Sequence, residues 1–307
     1  MTTTTTTPVS VAELHTSDFT AACAKRAELR LRGQVYAETQ TATATGQLFH
    51  ELVSAWWDAW GGATSDSNIE AFDVCARRAR EEGQRFSEAV MKNRADIEAT
   101  AAKWMALYEA RFTELRDRVE VVGVELPVRY TLDVDGTPQE FASHLDLLYR
   151  DGNRLVIRDW KTGEDAPHFA YLRRNLQLGL YWLAVAEGEV CIDAGLDQWV
   201  NFGERPSIEW LHVRSLEPYK KACPGINDAG EPVNFAKGDL RPTRQVVRKV
   251  EYVPAQADTL KEELRTRVRM VRAGVWPMNP DPVGCGLCQS KAFCPAWGVQ
   301  GGDNADE

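Results

Sequence analysis

Residues 119–163 constrain the fold of this chain more than any other segment. Apolar and polar residues alternate there as in β-strands, and two Asp-Gly pairs, Asp135-Gly136 and Asp151-Gly152, interrupt the pattern. Asp-Gly between two strand-like runs is a strong signal for a tight hairpin turn. We therefore expect antiparallel strands in which "FASHLDLLY" and "RLVIRDWK" are neighbours.

The second of these strands ends in charged residues. Because strand side chains alternate between faces, Asp159 and Lys161 point to one face and Trp160 to the other. The predicted hairpin brings Asp146, on the preceding strand, close to Asp159. Two carboxylates with little water around them repel each other unless a cation lies between them. Lys161 supplies that cation in a structural ion pair. A divalent metal held by both acids, with Lys161 beside it, is the functional alternative.

The remaining pattern predicts an α/β protein with a central mixed sheet flanked by helices. Residues 10–118 are mostly helical in pattern, and "GQLFHELVSAWWDAW" (46–60) has apolar residues at helical spacing. After the predicted strands we expect a helix at 171–187, strands near 198–202, 208–214 and 246–253, and a helix at 255–273. The expected regions are a disordered tail (1–9), a helical region (10–118), a core (119–254), a last helix with a cysteine cluster (255–298) and an acidic tail (299–307).

Composition and charge narrow the class of protein. The net charge of −9 argues weakly against a nucleic-acid partner, but basic stretches occur locally, for example at 241–249 and 265–272. Each stretch is equally explained as a solvated face. Seven cysteines without a signal peptide favour a reducing cytosol, with a metal site or spare thiols. No apolar run approaches the ~20 residues of a membrane helix. We therefore expect a cytoplasmic protein without a membrane partner.

Asp146 followed by Asp159-Trp160-Lys161 resembles the D…(D/E)-x-K signature of the PD-(D/E)xK nuclease superfamily. Two further segments resemble its RecB-like branch: "GQLFHEL" matches the G-x-x-x-H helix and "NLQLGLYWLA" matches the Q-x-x-x-Y element. The segments follow the family's order, between about Cys23 and Trp297. The resemblance implies a restriction-endonuclease-like core.

Two positions qualify the match. Ser143 stands where the family usually has glycine, three residues before the first acid. Glu125 resembles an acidic position often seen in the family, and we expect no catalytic role for it.

The resemblance also implies roles for the matching residues. Mg²⁺ or Mn²⁺ would be held by Asp146, Asp159, His50 and the backbone carbonyl of Trp160, and the histidine nitrogen tilts the preference toward Mn²⁺. Lys161 would position or deprotonate the attacking water, or stabilise developing charge. Gln177 and Tyr181, four residues apart on one helix face, would hold the substrate backbone and support Lys161.

The cysteines near the end form a second motif. "CGLCQSKAFCPAW" contains Cys285, Cys288 and Cys294 in a C-x2-C-x5-C run, and Cys23 precedes the histidine helix. This arrangement resembles AddB-type recombination nucleases and CRISPR-associated exonucleases. It implies a [4Fe–4S] cluster held by the four thiolates, which would staple the two ends of the chain to the core. Structural zinc is the alternative occupant. The other cysteines have no such spacing and are expected to be buried or unpaired: Cys75, Cys191 and Cys223.

Arg265, Arg269 and Arg272 recur at helical spacing in the last helix, and we expect them to contact DNA. The implied function is a metal-dependent DNA exonuclease acting on single strands or free ends, in recombination, repair or DNA processing in a bacterium or phage. No G-x-x-x-x-G-K-[ST] motif is present, so any unwinding would come from a helicase or recombination partner. The alternatives are a CRISPR-adaptation trimming nuclease, a non-catalytic DNA-binding subunit of the same fold, and a zinc-stabilised interaction protein.

Overall fold

A computed structural model describes residues 25, 28–29, 38–39, 41–58, 71–81, 85–163, 169–276 and 294. The helices are α1 (Thr41–Asp58), α2 (Ala71–Glu81), α3 (Glu88–Lys92), α4 (Arg94–Arg116), α5 (Phe169–Leu172), α6 (Leu176–Glu187), α7 (Thr243–Val246) and α8 (Pro254–Arg272). The strands are β1 (Glu38–Thr39), β2 (Arg85–Phe86), β3 (Glu120–Val134), β4 (Thr137–Asp151), β5 (Arg154–Lys161), β6 (Glu189–Asp193), β7 (Gln198–Val200), β8 (Ser207–His212), β9 (Cys223–Ile226), β10 (Pro232–Phe235) and β11 (Val247–Val250).

A seven-stranded mixed sheet forms the centre, in the order β11-β8-β5-β4-β3-β6-β7. Only the β5–β8 pair in this sheet is parallel. β3, β4 and β5 form the predicted antiparallel run. Asp135 and Gly136 make its first turn, both with positive φ, as a two-residue hairpin of this type requires. The second turn lies at Gly152 and Asn153, one residue later than predicted, and places glycine where φ is positive.

Helices cover both faces of the sheet, which confirms the predicted α/β architecture. On one face, α6 and α8 pack on a core that contains Leu145 and Ile157. On the other, α1 and α4 pack on a core that contains Tyr149 and Trp160. Strand β5 is therefore buried on both sides, and its successive side chains enter different cores.

Several predicted elements differ in their bounds. The helix expected at 171–187 begins at Leu176, because the Asn175 side chain accepts a hydrogen bond of 3.1 Å from the Leu178 N–H and caps the helix there. The last helix and the strands near 198, 208 and 246 form within three residues of the predicted bounds. The β9–β10 hairpin has no counterpart in the predictions, since the prolines and glycine in "CPGI" and "PVNF" obscure the strand pattern. Within the described ranges, no helix is long and apolar enough to cross a membrane.

Candidate active site

Strands β4 and β5 separate where the two predicted acids stand. Their pairing runs from Asp151 and Arg154 to Leu147 and Arg158, and stops one step before Asp146 and Asp159. Beyond that point the backbone N–H of Trp160 donates a 2.6 Å hydrogen bond to Asp146 Oδ2. The Asp146 carboxylate therefore replaces the strand ladder and is fixed against the end of β5.

Helix α1 brings His50 to the same place. Its Nε2 lies 3.1 Å from the carbonyl oxygen of Trp160. Because a carbonyl can only accept, Nε2 carries the proton, and in the neutral ring Nδ1 keeps its lone pair. A Cβ on Gly46, one turn earlier, would lie 2.6 Å from Thr162 Oγ1. Glycine therefore lets α1 approach the end of β5, which gives the G-x-x-x-H spacing a physical reason.

Glu125, for which no catalytic role was expected, lies beside His50 and Asp146. Its Oε1 lies 3.8 Å from His50 Nδ1, and Asp146 Oδ2 lies 3.9 Å from the same nitrogen. One ligand atom from each of the three residues falls within 4.8 Å of the others. Glu125 has a φ of 49°, a left-handed conformation that interrupts the regular alternation of β3. Alternation alone therefore could not reveal where its side chain points.

Asp159 and Lys161 lie on one face of β5, as predicted. Lys161 Nζ donates a 2.6 Å hydrogen bond to Asp159 Oδ1. Asp159 is fully buried, and its second oxygen, Oδ2, has no hydrogen-bond partner among the described residues. A buried carboxylate oxygen without a donor is costly, and a cation at that point would satisfy it.

The electrostatics of the site follow from the crowding of these acids. Burial raises the pKa of Asp146, and the nearby Asp159 carboxylate adds to the rise. Burial alone would lower the pKa of Lys161, but the Asp159 and Asp146 carboxylates outweigh it and raise that pKa, so the amine stays protonated. For His50 the Asp146 and Glu125 carboxylates likewise outweigh burial and raise the pKa. Each shift has the sign expected for a cluster with surplus negative charge.

Helix α6 places Gln177 and Tyr181 together. Gln177 Nε2 donates a 2.8 Å hydrogen bond to the Tyr181 hydroxyl oxygen. Burial, followed by the Asp159 carboxylate, raises the pKa of that hydroxyl, so it remains a neutral donor. The side chain of Ser143, at the position where the family usually has glycine, also hydrogen-bonds with it.

The donor set fits a hard divalent cation. His50, Glu125 and Asp146 offer one nitrogen and carboxylate oxygens, and within the described part of the chain Asp159 Oδ2 is an oxygen without a partner. Mg²⁺ and Mn²⁺ prefer such oxygen-rich sets, and an imidazole favours Mn²⁺. The group whose ligand atoms lie within 4.8 Å of one another differs from the predicted set, because it includes Glu125 and does not include Asp159. In addition, one oxygen of Asp159 is occupied by Lys161, and the Trp160 carbonyl by His50.

The profile of the PD-(D/E)XK nuclease superfamily matches residues 9–295. The chain belongs to this superfamily. None of the curated proteins matches it. Among solved structures, one described as "Crystal structure of SSO0001" is 12% identical, covers 80% of this chain and 94% of that chain, and has a TM-score of 0.30, too low to support an inference.

In this PD-(D/E)XK protein the three predicted DNA-binding arginines lie elsewhere. Arg269 forms an ion pair with Asp135, with Nη2 to Oδ1 at 2.8 Å. Arg265 and Arg272 each donate a 3.1 Å hydrogen bond to a backbone carbonyl of the same β3–β4 turn. Along β4 that turn is roughly 30 Å from Asp146, at about 3.3 Å per residue. Their contacts fasten α8 to the turn, and the structure does not bring them to the acids.

The predicted iron–sulfur ligands Cys23, Cys285 and Cys288 lie outside the described residues. The fourth, Cys294, is half-buried and forms no disulfide. The other cysteines agree with the expectation for them. Cys75 and Cys191 are buried, Cys223 is half-buried, and burial raises the pKa of Cys75 to about 12. Such a thiol is unreactive at neutral pH.

Proposed function

We propose that this PD-(D/E)XK protein is a metal-dependent DNA exonuclease that acts on single strands or free ends in recombination, repair or DNA processing. The observation that carries the proposal is the buried Asp159 carboxylate, which accepts from Lys161 through one oxygen and whose other oxygen has no donor among the described residues. A saturated structural ion pair would not leave that oxygen unpaired.

The residues would divide the work by charge and position. Asp146, His50 and Glu125 would hold Mg²⁺ or Mn²⁺ at the separation of β4 and β5, together with Asp159 Oδ2. When bound, the cation supplies an activated water and neutralises charge on the phosphate. Lys161 Nζ, which donates to Asp159 Oδ1 at 2.6 Å, would position or deprotonate the attacking water or stabilise developing charge on the phosphate.

Gln177 and Tyr181 would support this arrangement. Because the Gln177 amide donates to the hydroxyl oxygen of Tyr181, the Tyr181 proton remains available for Asp159, Ser143 or a substrate oxygen. A neutral donor near a developing negative charge lowers the barrier without any change of protonation. The pair is thus a positioning and charge-stabilising element.

The test is degradation of end-labelled single-stranded DNA with Mn²⁺, on protein purified without oxygen. We expect the parent to degrade DNA and Asp159→Ala and Lys161→Ala to leave it intact. Asp151→Asn, at the other end of the same hairpin, is a matched acid substitution expected to cleave like the parent. If the folded parent leaves DNA intact, the proposal fails and a non-catalytic DNA-binding subunit becomes the better account.

The iron–sulfur cluster is part of this proposal and rests on the spacing of Cys23, Cys285, Cys288 and Cys294. About four irons and four inorganic sulfides per chain after anaerobic purification would support it. One zinc and no sulfide would support structural zinc instead. A role in trimming DNA for CRISPR adaptation, or a helicase partner, would be tested by co-purification from the native host.

A further inference from the structure

A cavity of about 910 Å³ lies near the end of β5. Its wall is tied to the two residues that follow Lys161. His212 Nε2 donates to the Gly163 carbonyl at 2.9 Å, and Arg214 Nε donates to the Thr162 carbonyl at 3.0 Å. The cavity wall is therefore joined directly to the backbone that follows the end of β5.

The lining of the cavity is strongly basic. Four of its lining residues are cationic: Arg214, Lys220, Arg241 and Arg248. Among the described residues, the one carboxylate in the lining is Glu217, which accepts hydrogen bonds from Lys103 at 2.9 Å and Trp104 at 3.0 Å. Although burial opposes it, these contacts lower the pKa of Glu217, so the carboxylate stays charged and is neutralised by Lys103. The first turn of α1, whose partial charge is positive, completes the wall.

The chain between β8 and β11 presents Arg241 rigidly. Tyr219 is buried, stacks on Phe235 at 4.8 Å, and donates a 2.8 Å hydrogen bond to Gln245 Oε1. The Arg241 guanidinium lies over the Tyr219 ring, 4.7 Å from its centre, and its Nε donates to the Glu217 carbonyl. A preorganised cationic wall loses little side-chain entropy when it binds an anion.

We propose that this cavity binds a phosphate of the nucleic-acid strand that is being cleaved, next to the scissile one. The inference rests on the proposed function and adds where the substrate lies. Contacts to phosphate fix the register of a strand without reading its bases. The cavity would therefore set which phosphodiester reaches Asp159 and Lys161. Its ligand is a phosphate group, either an internal diester or a terminal monoester.

The test is the affinity of a fluorescent single-stranded oligonucleotide, measured by anisotropy in EDTA over a series of salt concentrations. For Lys220→Gln/Arg241→Gln we expect the Kd to rise roughly tenfold and the salt slope to become shallower by about 1.4, or about 0.7 for each lost phosphate contact. Lys220→Gln alone, at an exposed residue, should lower the slope by about 0.7 and guards against misfolding of the double variant. Lys221→Gln is the matched control, with an unchanged Kd and slope.

Each outcome decides the question. Parent-like slopes in both variants, or no DNA binding by the parent, would overturn the inference. A slope that flattens only in Arg269→Gln/Arg272→Gln would place the DNA along α8 and overturn it as well. A loss confined to oligonucleotides with a 5′- or 3′-phosphate supports a terminal monoester, and an equal loss with hydroxyl ends supports an internal diester. A parent that binds through this cavity but never cleaves would refute the nuclease proposal and leave this one standing.

Discussion

Arg158 and Asp159 are neighbours on β5, and each belongs to a buried ion pair on a different face of the sheet. On one face, Arg158 Nη2 and Nε donate to Glu209 Oε2 at 2.5 and 3.1 Å, and the Tyr149 hydroxyl donates to the same oxygen at 2.8 Å. On the other face, Asp159 Oδ1 accepts from Lys161, and Oδ2 has no hydrogen-bond partner among the described residues. The first pair is saturated and the second is not.

The difference distinguishes a fully hydrogen-bonded structural pair from one with an oxygen that can still accept a ligand. Burying a charge is tolerated when hydrogen bonds replace the lost water, as they do around Glu209. At Asp159 Oδ2, no hydrogen bond from the described residues replaces the lost water. We therefore expect the Arg158–Glu209 pair to serve stability and the Lys161–Asp159 pair to serve catalysis, so substitutions at the two faces should have opposite consequences.

The largest effect is expected at Asp159. Asp159→Asn should lower the rate of metal-dependent cleavage about 10³-fold or more, because it removes the charge that orients Lys161 and satisfies the cation. The thermal midpoint should change little, since the amide keeps the shape and the partly exposed Lys161 can hydrate. Initial cleavage rates and melting curves, with Asp151→Asn alongside, measure both. If Asp159→Asn lowers stability but cleaves DNA normally when folded, the two ion pairs do not differ in function.

Glu209→Gln should show the reverse pattern. It leaves Arg158 buried without its counter-charge, so the free energy of unfolding should fall by about 3 kcal/mol. Urea denaturation measures this, and cleavage per folded molecule should match the parent. Lys249→Gln removes only the exposed partner, 3.7 Å from Glu209, and should cost less than about 1 kcal/mol. Equal losses in both variants would mean that the buried pair is not the stabilising element.

Acid should affect the saturated pair in a defined direction. Although burial raises the pKa of Glu209, Arg158 and the Tyr149 hydroxyl outweigh it and lower that pKa below the ordinary 4.5. Its contribution to stability is therefore complete above about pH 4.5 and is lost as the pH falls through the lower folded-state value. Melting midpoints between about pH 6 and pH 3 should fall more steeply for the parent than for Glu209→Gln. Parallel curves would contradict this assignment.

The smallest effect is expected at Gly46. Gly46→Ala places a methyl group 2.6 Å from Thr162 Oγ1, so α1 must shift and carry His50 away from Trp160. A displacement of this size should lower the cleavage rate several-fold, up to about 10²-fold. Thr162→Ala in the same chain removes the obstructing atom and should restore the rate. Failure of the double variant to recover would show that glycine is needed there for another reason.

The contacts of this site that depend on the β3–β4–β5 hairpins can be predicted from the sequence. The contacts that depend on pairing between distant segments cannot. The Asp135-Gly136 turn fixes the β3–β4 register by pairing Val134 with Thr137, and counting back along both strands puts Glu125 opposite Asp146. The position of Glu125 beside Asp146 could therefore have been predicted from the Asp135-Gly136 turn and the length of the two strands. Glu209 could not, because the parallel pairing of β5 with β8 joins residues about fifty positions apart, and no local pattern specifies that register.

The alternation of Arg158 and Asp159 also protects the register of β5 during folding. A slip of one residue would turn Arg158 toward the acids of the other face and set Asp159 against Glu209, two carboxylates without water or a cation between them. In the correct register the charges on both faces have partners of opposite charge. In the register shifted by one residue, both faces bring charged residues into unfavourable positions. Asp159 thus also guards against misassembly, so substitutions that spare the fold at equilibrium should still slow its formation.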